Sequence, residues 1–240
     1  GPGAGKPSTL ACGEGGAGSE TVEVHRSDGR PAGGRLDRAL ALWAGAGLGY
    51  GDTLGAGGGW ARSILFDPRL AEAFAAFFAR PETLALGVCN GCQMMATLRD
   101  IIPGAQAWPS FERNASEQYE ARLATLEVLE SPSIFFKGMF GSRIPVAVAH
   151  GEGRPVFMDS GDIKRVVACL RYVDNHGKVP EAVPLNPHGP PKGIPGLAAP
   201  QGPVPAACPP PGRGVRHTSA DPTLSSTGSR SPFAWGLRSR

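Results

Sequence analysis

The clearest hydrophobic pattern lies between residues 67 and 104. Leu70, Phe74, Phe77 and Phe78 stand at i, i+4, i+7 and i+8, which is one face of a helix. Asp67 offers a capping side chain, Pro68 suits the first helical position, and Pro81 ends the run. Leu84-Ala85-Leu86-Gly87-Val88 is then continuously apolar, as expected of a short strand buried on both faces. Cys89-Asn90-Gly91 interrupts it. From Cys92 to Ile102, the apolar residues Met94, Met95, Leu98 and Ile102 predict a second helix, stopped by Pro103-Gly104.

Downstream, Arg122–Leu129 alternates as a strand does, and Ile144–Ala149 and Val166–Val173 read as further buried strands. Upstream signals are fainter: Thr21–Val24 as a short strand, Leu36–Trp43 as a short helix, Gly51–Gly59 as a glycine-rich loop. After Asn175 the pattern dissolves into proline and glycine. Strands mixed with helices predict an α/β layer fold with a mostly parallel central sheet.

Composition sharpens the boundaries. The 240 residues suffice for one sizeable domain, but 35 glycines and 24 prolines are many. They gather at the ends, with half of the prolines between Pro180 and Pro211. Three segments are therefore expected: a low-complexity segment over 1–49, disordered or non-native; a folded core over 50–178; and a Pro/Gly-rich basic tail over 179–240, disordered. The tail also explains the formal charge of +3, because beyond Ala182 the only acid is Asp221. A solvated tail is the simplest source of that charge, and no nucleic-acid partner is inferred.

Five cysteines, Cys12, Cys89, Cys92, Cys169 and Cys208, are an odd number without a disulfide-like spacing. No apolar run reaches the ~20 residues that span a bilayer, and no secretory leader pattern opens the chain. The expectation is a reducing, cytoplasmic setting without a membrane partner.

Candidate chemistry centres on Gly87-Val88-Cys89-Asn90-Gly91-Cys92-Gln93, between the predicted strand and helix. Glycines two residues either side of Cys89 would let strand and helix approach closely, as a nucleophile elbow requires. A helix N-terminus behind the sulfur favours thiolate over thiol, and the Asn90 amide would face an oxyanion on a substrate carbonyl. A buried structural cysteine is the alternative, and these residues alone leave the two even. Cys92 reads better as a core thiol. A Cys89/Cys92 redox pair is a weaker option, and without a second pair of cysteines no zinc site is expected.

The heptapeptide resembles the nucleophile motif of class I glutamine amidotransferases, and most of all that of the phosphoribosylformylglycinamidine synthases. The similarity continues through Met94-Met95, Ile102-Pro103-Gly104, Trp108-Pro109, Phe111-Glu112-Arg113-Asn114-Ala115-Ser116, Ser131-Pro132-Ser133, His150-Gly151-Glu152-Gly153-Arg154 and Arg171–Gly177. Upstream it takes in Tyr50-Gly51-Asp52 and Leu54–Gly57. The resemblance implies a flavodoxin-like amidotransferase fold and hydrolysis of L-glutamine by Cys89 through a γ-glutamyl thioester. It implies an oxyanion hole from Asn90 and Gly55, and glutamine contacts from Gln93, Arg113, Asn114, Ser116 and His150. It further implies that ammonia passes to a synthetase domain or subunit, which would carry ATP and magnesium. No cofactor or metal is expected in this chain: Asp52–Gly59 lacks the Gly-Lys-Ser/Thr ending of a phosphate loop.

The chain departs from the family pattern in two places. The motif that would supply the triad histidine and glutamate falls on Pro209–Arg213, so Pro210 and Gly212 occupy those positions. Neither can carry the proton that a departing amine needs. The strand expected before Tyr50 is also missing from the sequence, with Leu42-Trp43-Ala44-Gly45-Ala46-Gly47 in its place. The alternative function is a pseudo-amidotransferase that binds glutamine or packs against a synthetase domain without turnover.

Overall fold

The computed structural model describes residues 10–11, 23–24, 36–44, 54–180, 186, 193–199 and 205–207. Its strands are β1 (Leu10–Ala11), β2 (Glu23–Val24), β3 (Ala41–Ala44), β4 (Leu84–Val88), β5 (Ser110–Arg113), β6 (Glu120–Val128), β7 (Arg143–His150), β8 (Glu152–Val156), β9 (Val167–Val173), β10 (Gly196–Ala198) and β11 (Pro205–Ala207). The helices are α1 (Ala56–Leu65), α2 (Pro68–Ala79) and α3 (Asn90–Thr97).

Among the described residues, seven strands form the central sheet in the order β3-β4-β11-β10-β9-β6-β7. The sheet is not the mostly parallel one expected. Only β3–β4 and β4–β11 pair parallel, and the other four pairings are antiparallel. The reason lies in β7. Ile144, Val146 and Val148 are buried, whereas Pro145 is exposed and Ala147 and Ala149 are half-buried. Small apolar residues on the outer face disguise a period of two as a continuous run. Pro145, which lacks an amide hydrogen, also suits this last strand of the sheet.

The expected core, 50–178, leaves out three strands of this sheet. Ala41–Ala44 is the strand β3 and pairs in parallel with β4, Ala44 opposite Gly87. It corrects both the short helix expected over Leu36–Trp43 and the missing first strand. Beyond residue 178, β10 and β11 lie between β9 and β4. Within 1–49, β1 and β2 also pair, antiparallel, with β2 inside the short strand expected over Thr21–Val24, and the other residues of the two end segments lie mostly outside the described ones.

The helices follow their local chemistry. Asp67 caps α2 by accepting from the Arg69 amide at 3.0 Å, and Pro68 opens it. Phe74, Phe77 and Phe78 are buried, each contributing about 2 kcal/mol. α1 is a correction, because the loop expected to run to Gly59 becomes helical at Ala56. Trp60, Ala61 and Ile64 bury against the core and offset the helix cost of Gly57, Gly58 and Gly59, about 1 kcal/mol each. α3 begins at Asn90, two residues earlier than expected, and ends at Thr97. A 3-10 turn over Arg99–Ile101 carries the chain on to the buried Ile102.

Two apolar clusters result. One joins α1, α2 and α3 to β3 and β4. The other fills the antiparallel half around Leu126, Val146, Leu170 and Tyr172. No described helix is long and apolar enough to cross a membrane. Following the pairings across the sheet, β3, β4 and β7 all run in the same direction. Cys89, after β4, and His150 at the end of β7 therefore emerge at one edge, the carboxyl ends of these strands, where open α/β sheets bind ligands.

Candidate active site

Cys89 joins β4 to α3 with φ 56° and ψ −116°. Among the described non-glycine residues only Glu117 shares a positive φ. Such a conformation costs about 1–3 kcal/mol and persists where its surroundings enforce it. The flanking glycines make the turn possible. A Cβ on Gly87 would lie 2.6 Å from Met95 Sδ and 2.7 Å from the Gly91 carbonyl oxygen. A Cβ on Gly91 would run into the Ala44 carbonyl of β3. Strand and helix approach through the space left by these missing methyls, as the Gly-x-Cys-x-Gly frame predicts.

Cys89 is half-buried, and its carbonyl accepts from the Gln93 amide at 3.1 Å, so it caps α3. The positive end of the α3 dipole faces it, which favours a thiolate. Cys92 and Cys169 differ, being fully buried free thiols. Burial pushes the Cys169 thiol up to about 12. Cys92 is thus the core thiol expected, and Cys89 is not disulfide-bonded to it.

A second element closes over the turn. Gly55, with φ 81°, caps the N-terminus of α1. A Cβ on Gly57 would lie 2.5 Å from Gln93 Cβ and 2.6 Å from the Asn90 carbonyl oxygen, so α1 rests directly on the start of α3. Asn90 and Gln93, the residues that follow the elbow, thus lie beneath the first turn of α1. The Gly55 amide donates to both carboxylate oxygens of Glu152, at 3.0 and 2.8 Å. Gln93 Nε2 donates to the Glu152 carbonyl at 2.9 Å, while its buried Oε1 has no hydrogen-bond partner among the described residues.

Asn114 holds the turn that carries Glu152. Its Nδ2 donates to the carbonyls of Gln118 (2.9 Å) and His150 (2.8 Å). Its Oδ1 accepts from the Gly153 amide at 3.1 Å and lies 2.9 Å from His150 Nδ1. Because Oδ1 only accepts, the His150 ring carries its proton on Nδ1. Burial, aided by the charge of Arg122, lowers the pKa of His150 to about 4, so the ring is neutral at pH 7. Gly153 has no Cβ because the His150 ring occupies that space.

The remaining sequence-predicted residues serve their own turn. Arg113 is exposed and donates to the Glu117 carbonyl at 3.0 Å, and Ser116 Oγ accepts from the Gln118 amide at 3.4 Å. Among the described residues no three His, Cys, Asp or Glu side chains gather as metal ligands. Pro210 and Gly212 lie outside the described residues. Sequence reasoning missed Glu152 itself. Its signal lies in His150-Gly151-Glu152-Gly153, where an acid between two glycines marks a side chain on a tight turn.

Fold and site together define an α/β protein with a cysteine on a strained strand-to-helix elbow at the carboxyl edge of its sheet. The model of the CobB/CobQ-like glutamine amidotransferase domain family matches residues 3–232. The chain belongs to that family. Among solved structures it is similar to PurLQS from Thermotoga maritima, with 24% identity and a TM-score of 0.54 over 75% of this chain and 73% of that one. That likeness is one of fold. A Thermoplasma acidophilum protein provisionally assigned to GMP synthase shares 15% identity at a TM-score of 0.40, over 73% of this chain and 64% of that one.

Proposed function

We propose that this chain is the glutaminase part of a phosphoribosylformylglycinamidine synthase, with Cys89 as its nucleophile. The observation that carries the reading is the positive φ of Cys89 between β4 and α3, where bulk on either neighbouring glycine is forbidden. The Cys89 thiolate attacks the side-chain carboxamide of glutamine. The carbonyl oxygen becomes an oxyanion bound by the amides of Asn90 and Gly55. Collapse breaks the C–N bond while the nitrogen takes a proton from water and leaves as ammonia, and the γ-glutamyl thioester left on Cys89 is then hydrolysed. Gln93, in the first turn of α3 beside the elbow, is a candidate glutamine contact, its buried Oε1 having no partner among the described residues. Asn114 and His150 act through the turn they hold, and Arg113 and Ser116 shape the neighbouring one.

The purine assignment rests on the motifs that extend from Tyr50 to Gly177 and is supported by the fold shared with PurLQS. In this reading ammonia is passed to a synthetase domain or subunit, where ATP and magnesium drive amidine formation in the cytoplasm. Proton delivery to the departing nitrogen cannot come from Pro210 or Gly212, so in this reading water supplies it and thioester formation is slowed.

Ammonia release from glutamine by the purified chain, alone and with a synthetase partner, tests the reading. Activity that Cys89→Ala reduces by about a hundredfold or more supports it. Release that survives the substitution removes Cys89 from the mechanism.

A further inference from the structure

β6 and β7 pair antiparallel, and one face of the pair belongs to the core: Leu126, Ile144, Val146 and Val148 are buried there. The outward face of such a pair is ordinarily polar, because water covers it. Here it is apolar. Ala121 stands opposite Ala149, and Leu123 opposite Ala147. Ala121 is exposed, Leu123 is 65% exposed, and the two β7 alanines are half-buried.

This strip has a head and a foot. At its head, a Cβ on Gly151 would lie 3.4 Å from Leu54 Cδ2 and 4.0 Å from Tyr119 Cδ2. Two large side chains, 63% and 66% exposed, therefore flank that glycine. Gly151 directly follows β7, whose carboxyl end lies on the same edge of the sheet as Cys89. At the foot the apolar positions give way to charge: Glu127 stands opposite Arg143 and accepts from Arg171 Nε at 2.6 Å. A contiguous apolar surface bounded by charged groups is the anatomy of a protein interface, a core with a polar rim.

The reaction says what covers it. In the proposed function ammonia leaves Cys89 at this edge and is consumed by a synthetase. Ammonia released into water takes up a proton and loses its nucleophilic lone pair, so the acceptor has to seat against the edge that releases it. We propose that the outward face of β6 and β7, headed by Leu54 and Tyr119, is the docking surface for that synthetase, which meets it with an uncharged surface of its own. The inference rests on the amidotransferase reading.

The test measures binding of the full chain to the synthetase subunit, supplied as a separate chain, by sedimentation velocity. Leu123→Glu and Ala121→Glu each set a charge in the middle of the strip, at exposed positions where folding should survive. Phe66→Glu is the control, an exposed apolar residue (82%) on the turn between α1 and α2. The expected result is a Kd raised by about tenfold or more in the two strip variants and unchanged in Phe66→Glu. Wild-type affinity in a folded strip variant overturns the docking surface and leaves the amidotransferase reading standing. So does a wild-type chain that pairs with itself and not with the synthetase, the face then joining two copies. If the wild type binds nothing yet releases ammonia from glutamine, only the docking surface falls. With neither binding nor release, both readings fall.

Discussion

Single glycines decide whether this site exists. Gly91 has an ordinary helical position in α3, where alanine would normally be preferred by about 1 kcal/mol. Its missing Cβ is instead where α3 meets the Ala44 carbonyl. Gly91→Ala is therefore expected to destabilise the chain by about 1–3 kcal/mol despite better helix propensity. Gly58 gives the contrast: it is also helical, but a Cβ there meets nothing nearer than an Arg62 nitrogen at 3.9 Å. Gly58→Ala should stabilise by about 0.5–1 kcal/mol. Chemical denaturation of the two variants measures both signs, and equal effects would show that the close approach of α3 to β3 is not what Gly91 supplies. The elbow was legible in the sequence because glycine spacing is a local signal. The Glu152–Gly55 contact was not, because its two residues lie 97 positions apart.

At the scale of elements, the turn between β7 and β8 links the central sheet to a separate antiparallel pair, β5 with β8. His150 ends β7 buried and neutral, with its pKa lowered from about 6.5 to about 4. The unfolded chain binds a proton at this residue between those values and the folded chain does not. Folding stability should therefore fall as pH drops through that window, by up to about 3 kcal/mol from this residue. Below about pH 4 both states are protonated and the loss levels off. Urea denaturation at several pH values, in the wild type and His150→Asn, measures this contribution. An unchanged pH dependence in the variant would show that the buried ring is not its source. The helix at 68–79 and the strand at 84–88 were legible because caps, prolines and apolar spacing agree. The antiparallel half was not, since Pro145, Ala147 and Ala149 gave β7 an apolar outer face. β10 and β11 were hidden in a proline-rich stretch, and pairing partners far along the chain make them strands.

Across the whole molecule, the fold sorts its three described thiols by burial. Cys89 stands half-buried at the sheet edge, while Cys92 and Cys169 have no exposure. Treated with iodoacetamide at pH 8, the folded chain should be modified at Cys89, with Cys92 and Cys169 protected until denaturant is added. Peptide mapping reads this directly, and early modification of Cys169 would contradict the packing of the antiparallel half. The same map shows whether Gly87 and Gly91 support an exposed nucleophile rather than a sealed core thiol.

The central claim is that Cys89 takes the glutamyl group from glutamine. Mixing the chain with L-glutamine, quenching in acid and mapping the peptides tests it most directly. The account predicts a glutamyl adduct on the peptide bearing Cys89, absent from Cys89→Ala and from samples given glutamate. An adduct on another cysteine, or none on Cys89 in a chain that releases ammonia from glutamine, would contradict it.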